Sequence, residues 1–293
     1  MNILELWRYP VKSMLGERRE RVEATPTGVA GDRAYAVIDR SDGKVASAKN
    51  PRKWGQLLSC RAEFAEEPAA FGASGEAPPP ARITLPDGTV VSTDDPTVHE
   101  VLSRFLGRDV MLADAAPAGA LFEETWPDVE GMAPEEFIDS TRVRTDDSEP
   151  VSDLALGLAA APGSFFDLAP IHLVTTSSLD ELTKQQPASE FAVQRFRPNI
   201  VIDAPADGFV ENGWVGATLR LGAEASVNVM MPTMRCVMTT LAQGDLPNDR
   251  AVLRAATDHN RVEISGIGTW ACVGAYASVA TPGTICIGDA IEV

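Results

Sequence analysis

Apolar and polar positions alternate over short runs along most of this chain, and turn signals separate the runs. Ala34–Asp39 (AYAVID), the tetrad RSDG and Lys44–Lys49 (KVASAK) read as one hairpin. ARITL, PDG and TVVST, from Ala81 to Thr93, read as another. In both, an Asp-Gly pair supplies the residues that tolerate positive φ in tight hairpin turns. ATLRLG, SVNVMM, YASVA and TICIGDAIEV predict further strands in the second half. Strands so closely spaced favour barrels or sandwiches over a doubly wound sheet, so the expected fold is mainly β.

A helical period replaces this alternation in three places. In DPTVHEVLSRFLG, Asp95 is placed to cap, Pro96 to start the helix and Gly107 to close it, and Val98, Val101, Leu102, Phe105 and Leu106 share one face. SLDELTKQQP begins with Ser178 and Glu181 at capping-box spacing and stops before Pro187. NDRAVLRAATDHN is a third helix, capped by Asn248. Two stretches fit neither period. EEPAAFGASGEAPPPA is rich in Pro, Ala and Gly and reads as a surface loop. The chain is then acidic from DAAPAGALFEETWPDVEG to TDDSEPVSDLALGLAAAPG, which places a domain junction near residues 113–120. The DLALGLAAA end of that stretch has helical composition, which Gly157 weakens.

Composition narrows the function classes. A 293-residue chain with 44% hydrophobic residues and a mean hydropathy of -0.05 is globular and large enough for one or two cored domains. No apolar run approaches the roughly 18 residues of a spanning helix. The N-terminal MNILELWRYPVKS lacks a basic leader and a long apolar segment, so a cytoplasmic protein with no membrane partner is expected. A net charge of -17 argues against a nucleic-acid partner, because phosphate neutralisation needs surplus Lys and Arg. Cys60, Cys236, Cys272 and Cys286 show no C-x-x-C spacing, which leaves zinc-ribbon, thioredoxin-like and iron–sulfur readings without support. No P-loop, dinucleotide fingerprint or H-E-x-x-H motif occurs.

Against this acidic background, several basic residues stand in short motifs at strand ends. YPVKSMLGE carries Lys12 and Ser13, GDRAYAVID carries Arg33, QRFRPNIVID carries Arg195, Arg197 and Asn199, and PTMRCVMTT carries Arg235 before Cys236. Arginine forks and lysine ammonium groups are the usual partners of phosphate and other oxyanions. Ser178, at the head of its helix, adds a hydroxyl and exposed backbone N–H groups. Each residue also has a plainer reading. Lys12 and Arg33 suit surface ion pairs, Arg195 or Arg197 suits a pairing with Asp203 or Glu190, and Ser178 suits a simple cap worth about 1 kcal/mol. An unpaired cysteine is commonly a small buried hydrophobe, whereas an adjacent arginine lowers a thiol's pKa. His172, flanked by apolar residues, reads as a core histidine, and neither His99 nor His259 is given a catalytic role.

In order along the chain, LWRYPVKSMLG and GDRAYAVID resemble the N-terminal β-barrel domain that precedes MOSC domains. APIHLVTTSSL, RFRPNIVID, PTMRCVMTT and VGAYASVATPGTICIGDAIEV are similar to the MOSC domain itself, the domain type of the C-terminal part of molybdenum cofactor sulfurase. The resemblance implies a two-domain β-barrel architecture with a few peripheral α-helices. It places the N-terminal domain at residues 1–115 and the MOSC domain at 116–293, with an acidic connecting segment at about 116–163. It also implies molybdenum cofactor (molybdopterin) binding. Cys236 stands where the family's thiolate coordinates molybdenum, and Lys12 and Arg33 stand where it contacts the pterin phosphate side. Arg197 and Asn199 match the R-P-N segment lining the pterin site, while Ser13, Ser178 and Tyr276 fall on motif positions near it. Met234 departs from the smaller or polar residue common at its position.

The function implied is a molybdenum-cofactor-binding oxidoreductase that reduces N-hydroxylated or N-oxide small molecules. Neither a ferredoxin domain nor a pyridoxal-dependent desulfurase domain accompanies the motifs, so a separate electron-donor protein is expected and a complete cofactor sulfurase is not. The alternative is a cofactor or sulfur carrier that uses a persulfide on Cys236, because both activities need a reactive thiol beside an anionic pterin.

Overall fold

The computed structural model describes residues 1–68 and 78–293, so most of the Pro- and Ala-rich loop lies outside the described residues. The fold is mainly β, with several sheets and few helices. Both expected hairpins form. Ala81–Thr84 pairs with Val90–Ser92, and Asp39 N–H donates to Lys44 O at 2.9 Å across a turn through Gly43 (φ 72°). Strand Ala36–Asp39 takes its main ladder from Val110–Ala113.

The largest sheet has nine strands. Its path runs Glu17–Arg19, Asn2–Arg8, Ile200–Asp203, Ile171–Thr175, Gly268–Thr281, Ala225–Met234, Thr218–Leu221 and Ile291–Glu292, with Arg261–Ile264 paired to Gly268–Thr281 off this path. The first strand alternates as a half-buried strand should, with Ile3, Leu6 and Arg8 inward. Ile171–Thr175 is buried throughout, consistent with its near-continuous apolar run. It lies parallel to Ile200–Asp203, and helix Thr176–Gln185 begins the crossover between them. The ladders do not close into a ring among the described residues. A single bridge between Asn2 and Ala290 sets the last strand beside the first, and Ile291 N–H donates to Met1 O at 3.0 Å.

Early and late segments therefore share sheets across the boundary expected near residue 115. Asn2–Arg8 pairs with Ile200–Asp203, and Arg21–Thr25 pairs with Gly283–Cys286. One core joins Ile3 and Leu6 with Ile171, Leu173, Ile200, Val227 and Ile285. A second gathers Val11, Met14, Trp54, Leu57 and Leu102, and a third packs Phe196, Leu253 and Trp270.

The helix ends differ in detail from expectation. Val98–Leu106 buries the predicted face and closes on Gly107 in the left-handed region. Asp95 makes a local turn, accepting from Thr97 N–H at 2.8 Å, and does not cap that helix. Thr175 caps the next helix by accepting from Ser178 N–H at 3.2 Å, because the strand runs straight into the helix without a loop. The third helix is Ala251–His259, where Asp249 and not Asn248 accepts from Ala251 N–H at 2.9 Å. Asp153–Ala155, expected at a helical stretch, ends strand Glu149–Ala155, and Gly157 turns the chain at φ 64°.

Candidate active site

Strand ends from the first and last thirds of the chain meet at one cleft of about 720 Å³, its open mouth included. Most of the residues singled out from the motifs line it: Lys12, Ser13, Arg33, Arg195, Arg197, Asn199, Arg235, Cys236 and Tyr276. Five residues with side chains outside glycine adopt positive φ among those described, and three of them, Ser13, Arg33 and Arg197, line this cleft. Such backbone costs of order 1–3 kcal/mol each and persists where surrounding bonds over-determine it. Here they do. Arg33 N–H donates to Tyr9 O at 2.7 Å, Ser13 Oγ accepts from Ala48 N–H at 3.0 Å, and Arg197 Nη1 donates to Met14 O at 2.8 Å.

The cations are packed over aromatic rings and backbone. The Arg33 and Arg197 guanidinium carbons lie 4.5 and 4.3 Å from the centroid of the same ring, Tyr9. Arg33 also pairs with Asp32, and Asn199 Nδ2 donates to Asp32 Oδ2 at 2.9 Å. Asn199 thus positions the Asp32–Arg33 pair, and its Oδ1 accepts from His172 N–H at 3.1 Å. Burial and the neighbouring Arg33 pull the Arg197 pKa down to about 10. Burial also lowers Lys12, with Asp167 opposing.

Two charged residues outside the motifs, Lys49 and Asp167, also line this cleft. Lys49 lines the cleft, 3.0 Å from Glu124 Oε2 and 3.5 Å from Asp167 Oδ2. Burial lowers its pKa, but Asp167 and Glu124 outweigh that and raise it well above the usual lysine value. Asp167 is the acidic residue of the lining and pairs with Lys12 as well. Burial would raise its carboxyl, yet Lys12 and Lys49 hold it well below the usual carboxylate range. A signal for Lys49 existed, a basic residue at the end of the predicted hairpin strand. None pointed to Asp167, a lone acidic residue in the apolar stretch SFFDLAPI.

Three expected contributors play other parts. Ser178 does not reach the cleft lining. It is fully buried, and its hydroxyl donates to Glu211 Oε1 at 2.6 Å because it sits in the helix's first turn, facing the core. Arg195 borders the cleft, but backbone carbonyls consume its guanidinium: Glu190 at 2.9 Å, Thr239 at 3.2 Å, Leu241 at 3.3 Å and Pro247 at 2.8 Å. Arg235 donates to Val273 O and Phe196 O, each at 3.2 Å, and lies 3.3 Å from His172 Nε2.

Cys236 is 6% exposed and faces the cleft between Met234 and Met238. Burial raises its thiol, and Lys49 is the strongest influence in the other direction, ahead of Arg235. Burial and then Arg235 hold His172 well below its usual value, so it is a neutral, hydrogen-bonded wall residue, as expected of a core histidine. Tyr276 lies 5.8 Å from it, ring to ring. Gly274 makes room for this packing: a Cβ there would come within 2.4 Å of Leu173 O and 2.6 Å of His172 Nε2, at φ +83°. Phe165, Phe166 and Leu168 supply the apolar wall. The other cysteines lie elsewhere, and burial lifts the Cys60 and Cys272 thiols to about 12.

Chemically, the cleft offers several cations for an oxyanion and one soft sulfur in the same lining. Both segments that build the cleft match family models. The MOSC domain model matches residues 162–292, and the MOSC N-terminal beta barrel domain model matches residues 1–71. Mitochondrial amidoxime-reducing component 1 of Homo sapiens is 24% identical over 297 residues, spanning 99% of this chain and 82% of that protein. The Mus musculus protein of the same name is 22% identical over 298 residues, spanning 99% and 81%. The YUAD protein from Bacillus subtilis aligns over 99% of this chain and 93% of its own with a TM-score of 0.43 and 10% identity, a likeness too slight to carry an argument. With both family models in order along it, and the cleft drawn from both matched segments, the chain carries a MOSC N-terminal domain and a MOSC domain and is a distant homologue of the mitochondrial amidoxime-reducing components.

Proposed function

We propose that the protein is a molybdenum-cofactor-dependent reductase of N-hydroxylated or N-oxide small molecules, recharged by a separate electron-donor protein. The observation that carries this reading is that the Cys236 thiol lines the same cleft as Lys12, Arg33, Lys49 and Arg197. That donor set fits the cofactor, with a soft sulfur for the metal and cations for the phosphate. When bound, the cofactor supplies two-electron reduction with removal of the substrate oxygen as water.

The chain's own residues do the rest. Arg33 and Arg197, fixed over Tyr9, and the two lysines neutralise and orient the anionic end. Asn199 keeps the Asp32–Arg33 pair in place. Ala48, Leu58 and Met238, packed with Cys236, exclude water around the sulfur, which strengthens the charge interactions there. His172, held neutral, accepts from Arg235 and is not a proton donor at neutral pH. Burial raises the Tyr276 phenol, so it stands beside Ser13 as a neutral hydroxyl donor of the lining.

Protein expressed in a cofactor-competent host should hold molybdenum in stoichiometric amount and reduce benzamidoxime with a chemical electron donor. Cys236→Ala should lose the metal and the activity; full activity in that variant would refute the assignment. A persulfide on Cys236 without metal, detected by mass spectrometry, would assign the protein as a sulfur or cofactor carrier instead.

A further inference from the structure

Lys12 and Lys49, the cleft's two ammonium groups, are already bridged by one carboxylate. Asp167 Oδ1 accepts from Lys12 Nζ, and Asp167 Oδ2 lies 3.5 Å from Lys49 Nζ. One oxygen on each lysine is the arrangement a phosphate would adopt. Lys12 donates also to Phe165 O at 2.8 Å, and Lys49 to Glu124 at 3.0 Å. Asp167 and Glu124 together cancel the lysine pair's charge, so an approaching anion meets no net attraction from it while Asp167 stays.

Asp167 is also placed to leave. It belongs to the irregular segment between strands Glu149–Ala155 and Ile171–Thr175. Backbone bonds from Ala116 to Gly163 (2.8 Å), Gly157 to Asp167 (3.2 Å) and Ala159 to Leu168 (2.9 Å) hold that segment. The buried Phe165 side chain anchors it, whereas the Asp167 side chain is 27% exposed. The carboxylate can turn outward by loosening the backbone bonds of Gly157 and Ala159 to its segment, with the phenylalanine still packed.

We propose that Asp167 is the selectivity element of the anion subsite, an internal carboxylate that a ligand must displace from Lys12 and Lys49, so that the subsite holds phosphate dianions and rejects monocarboxylates. The inference rests on the reading above that Lys12 belongs to an anion subsite. A tethered carboxylate competes at an effective concentration of order millimolar or more. A free monocarboxylate offers the lysines nothing better. A phosphate group brings more charge and a third oxygen, and charge-assisted bonds to it are correspondingly stronger.

The test is calorimetric titration of the purified, metal-free chain with inorganic pyrophosphate and with acetate, comparing wild type with Asp167→Asn. Wild type should bind pyrophosphate and not acetate. The variant should bind pyrophosphate at least tenfold more tightly and admit acetate as a competitor, and adding Lys12→Met should abolish the gain. Equal pyrophosphate affinity in wild type and Asp167→Asn, or binding to neither, would overturn the inference. Should the variant fail to fold, hydrogen exchange on wild type decides. Amides from Gly157 to Leu168 should exchange faster with pyrophosphate present, and unchanged protection would overturn the idea. None of these readouts depends on molybdenum content or on Cys236→Ala, so the proposed reductase activity stands or falls separately.

Discussion

Arg235 precedes Cys236 in the chain, yet its guanidinium lies against His172, with Nη1 3.3 Å from Nε2, and is not aimed at the sulfur. The cation that most favours the thiolate is Lys49, from a hairpin far away in sequence. Lys49→Met should therefore slow iodoacetamide alkylation of Cys236 at pH 8 by about three- to tenfold, measured by mass spectrometry. Arg235→Met should slow it less. A larger effect at Arg235 would contradict this assignment.

Arg195 makes four charge-assisted bonds to carbonyls, one at Glu190 and three in the segment after Cys236. Arg195→Met leaves those acceptors without their donor and should cost about 3 kcal/mol, read as a lowered urea midpoint. Arg195→Lys should recover little of it, because one ammonium group cannot span the fork.

The elements legible in the sequence were those that local chemistry decides. Both Asp-Gly hairpins and the helix ending at Gly107 follow from turn and cap chemistry. The coarse site was legible through Lys12, Arg33, Arg197 and Cys236, whose motifs stand at strand ends. Ser178 was misread because a hydroxyl near a helix start serves equally as cap, ligand or core donor. The buried Glu211 decides between them, and no local pattern betrays it. Lys49 and Asp167 escaped for the same reason: their meaning lies in each other, across a long stretch of chain.

Glu123, 3% exposed, receives Lys44 at 3.1 Å, Lys53 at 2.9 Å and Arg144. Burial would raise its carboxyl, but Arg144, Lys53 and Lys44 hold it well below the usual value. A folded pKa below the unfolded value of about 4.3 means the stabilisation is whole above that pH and lost as pH falls beneath it. Glu123→Gln should cost about 3–5 kcal/mol at pH 6. The gap from wild type should narrow steadily on acidification below about pH 4.3, in urea melts at several pH values. A gap independent of pH would show that packing and not charge holds this network.

At Gly274, a methyl group would meet the backbone oxygen of Leu173 at 2.4 Å, at a φ that disfavours any side chain. Gly274→Ala should destabilise by about 3 kcal/mol or more through that overpacking and strain. Thermal melts should show it, together with loss of whatever anion affinity the wild-type cleft has, since His172 and Tyr276 must shift. A silent substitution would place the strand elsewhere.

The pairing of opening and closing segments sets when this cleft can exist. Thr284 Oγ1 bonds Glu23 across 261 positions of chain, and Arg197 bonds Met14 across 183. Closing such large loops comes late, after the local hairpins that make them worthwhile. A nascent chain emerging from the ribosome cannot preassemble its ligand cradle piece by piece. The cradle's lining is complete only once the chain has been made as far as Tyr276.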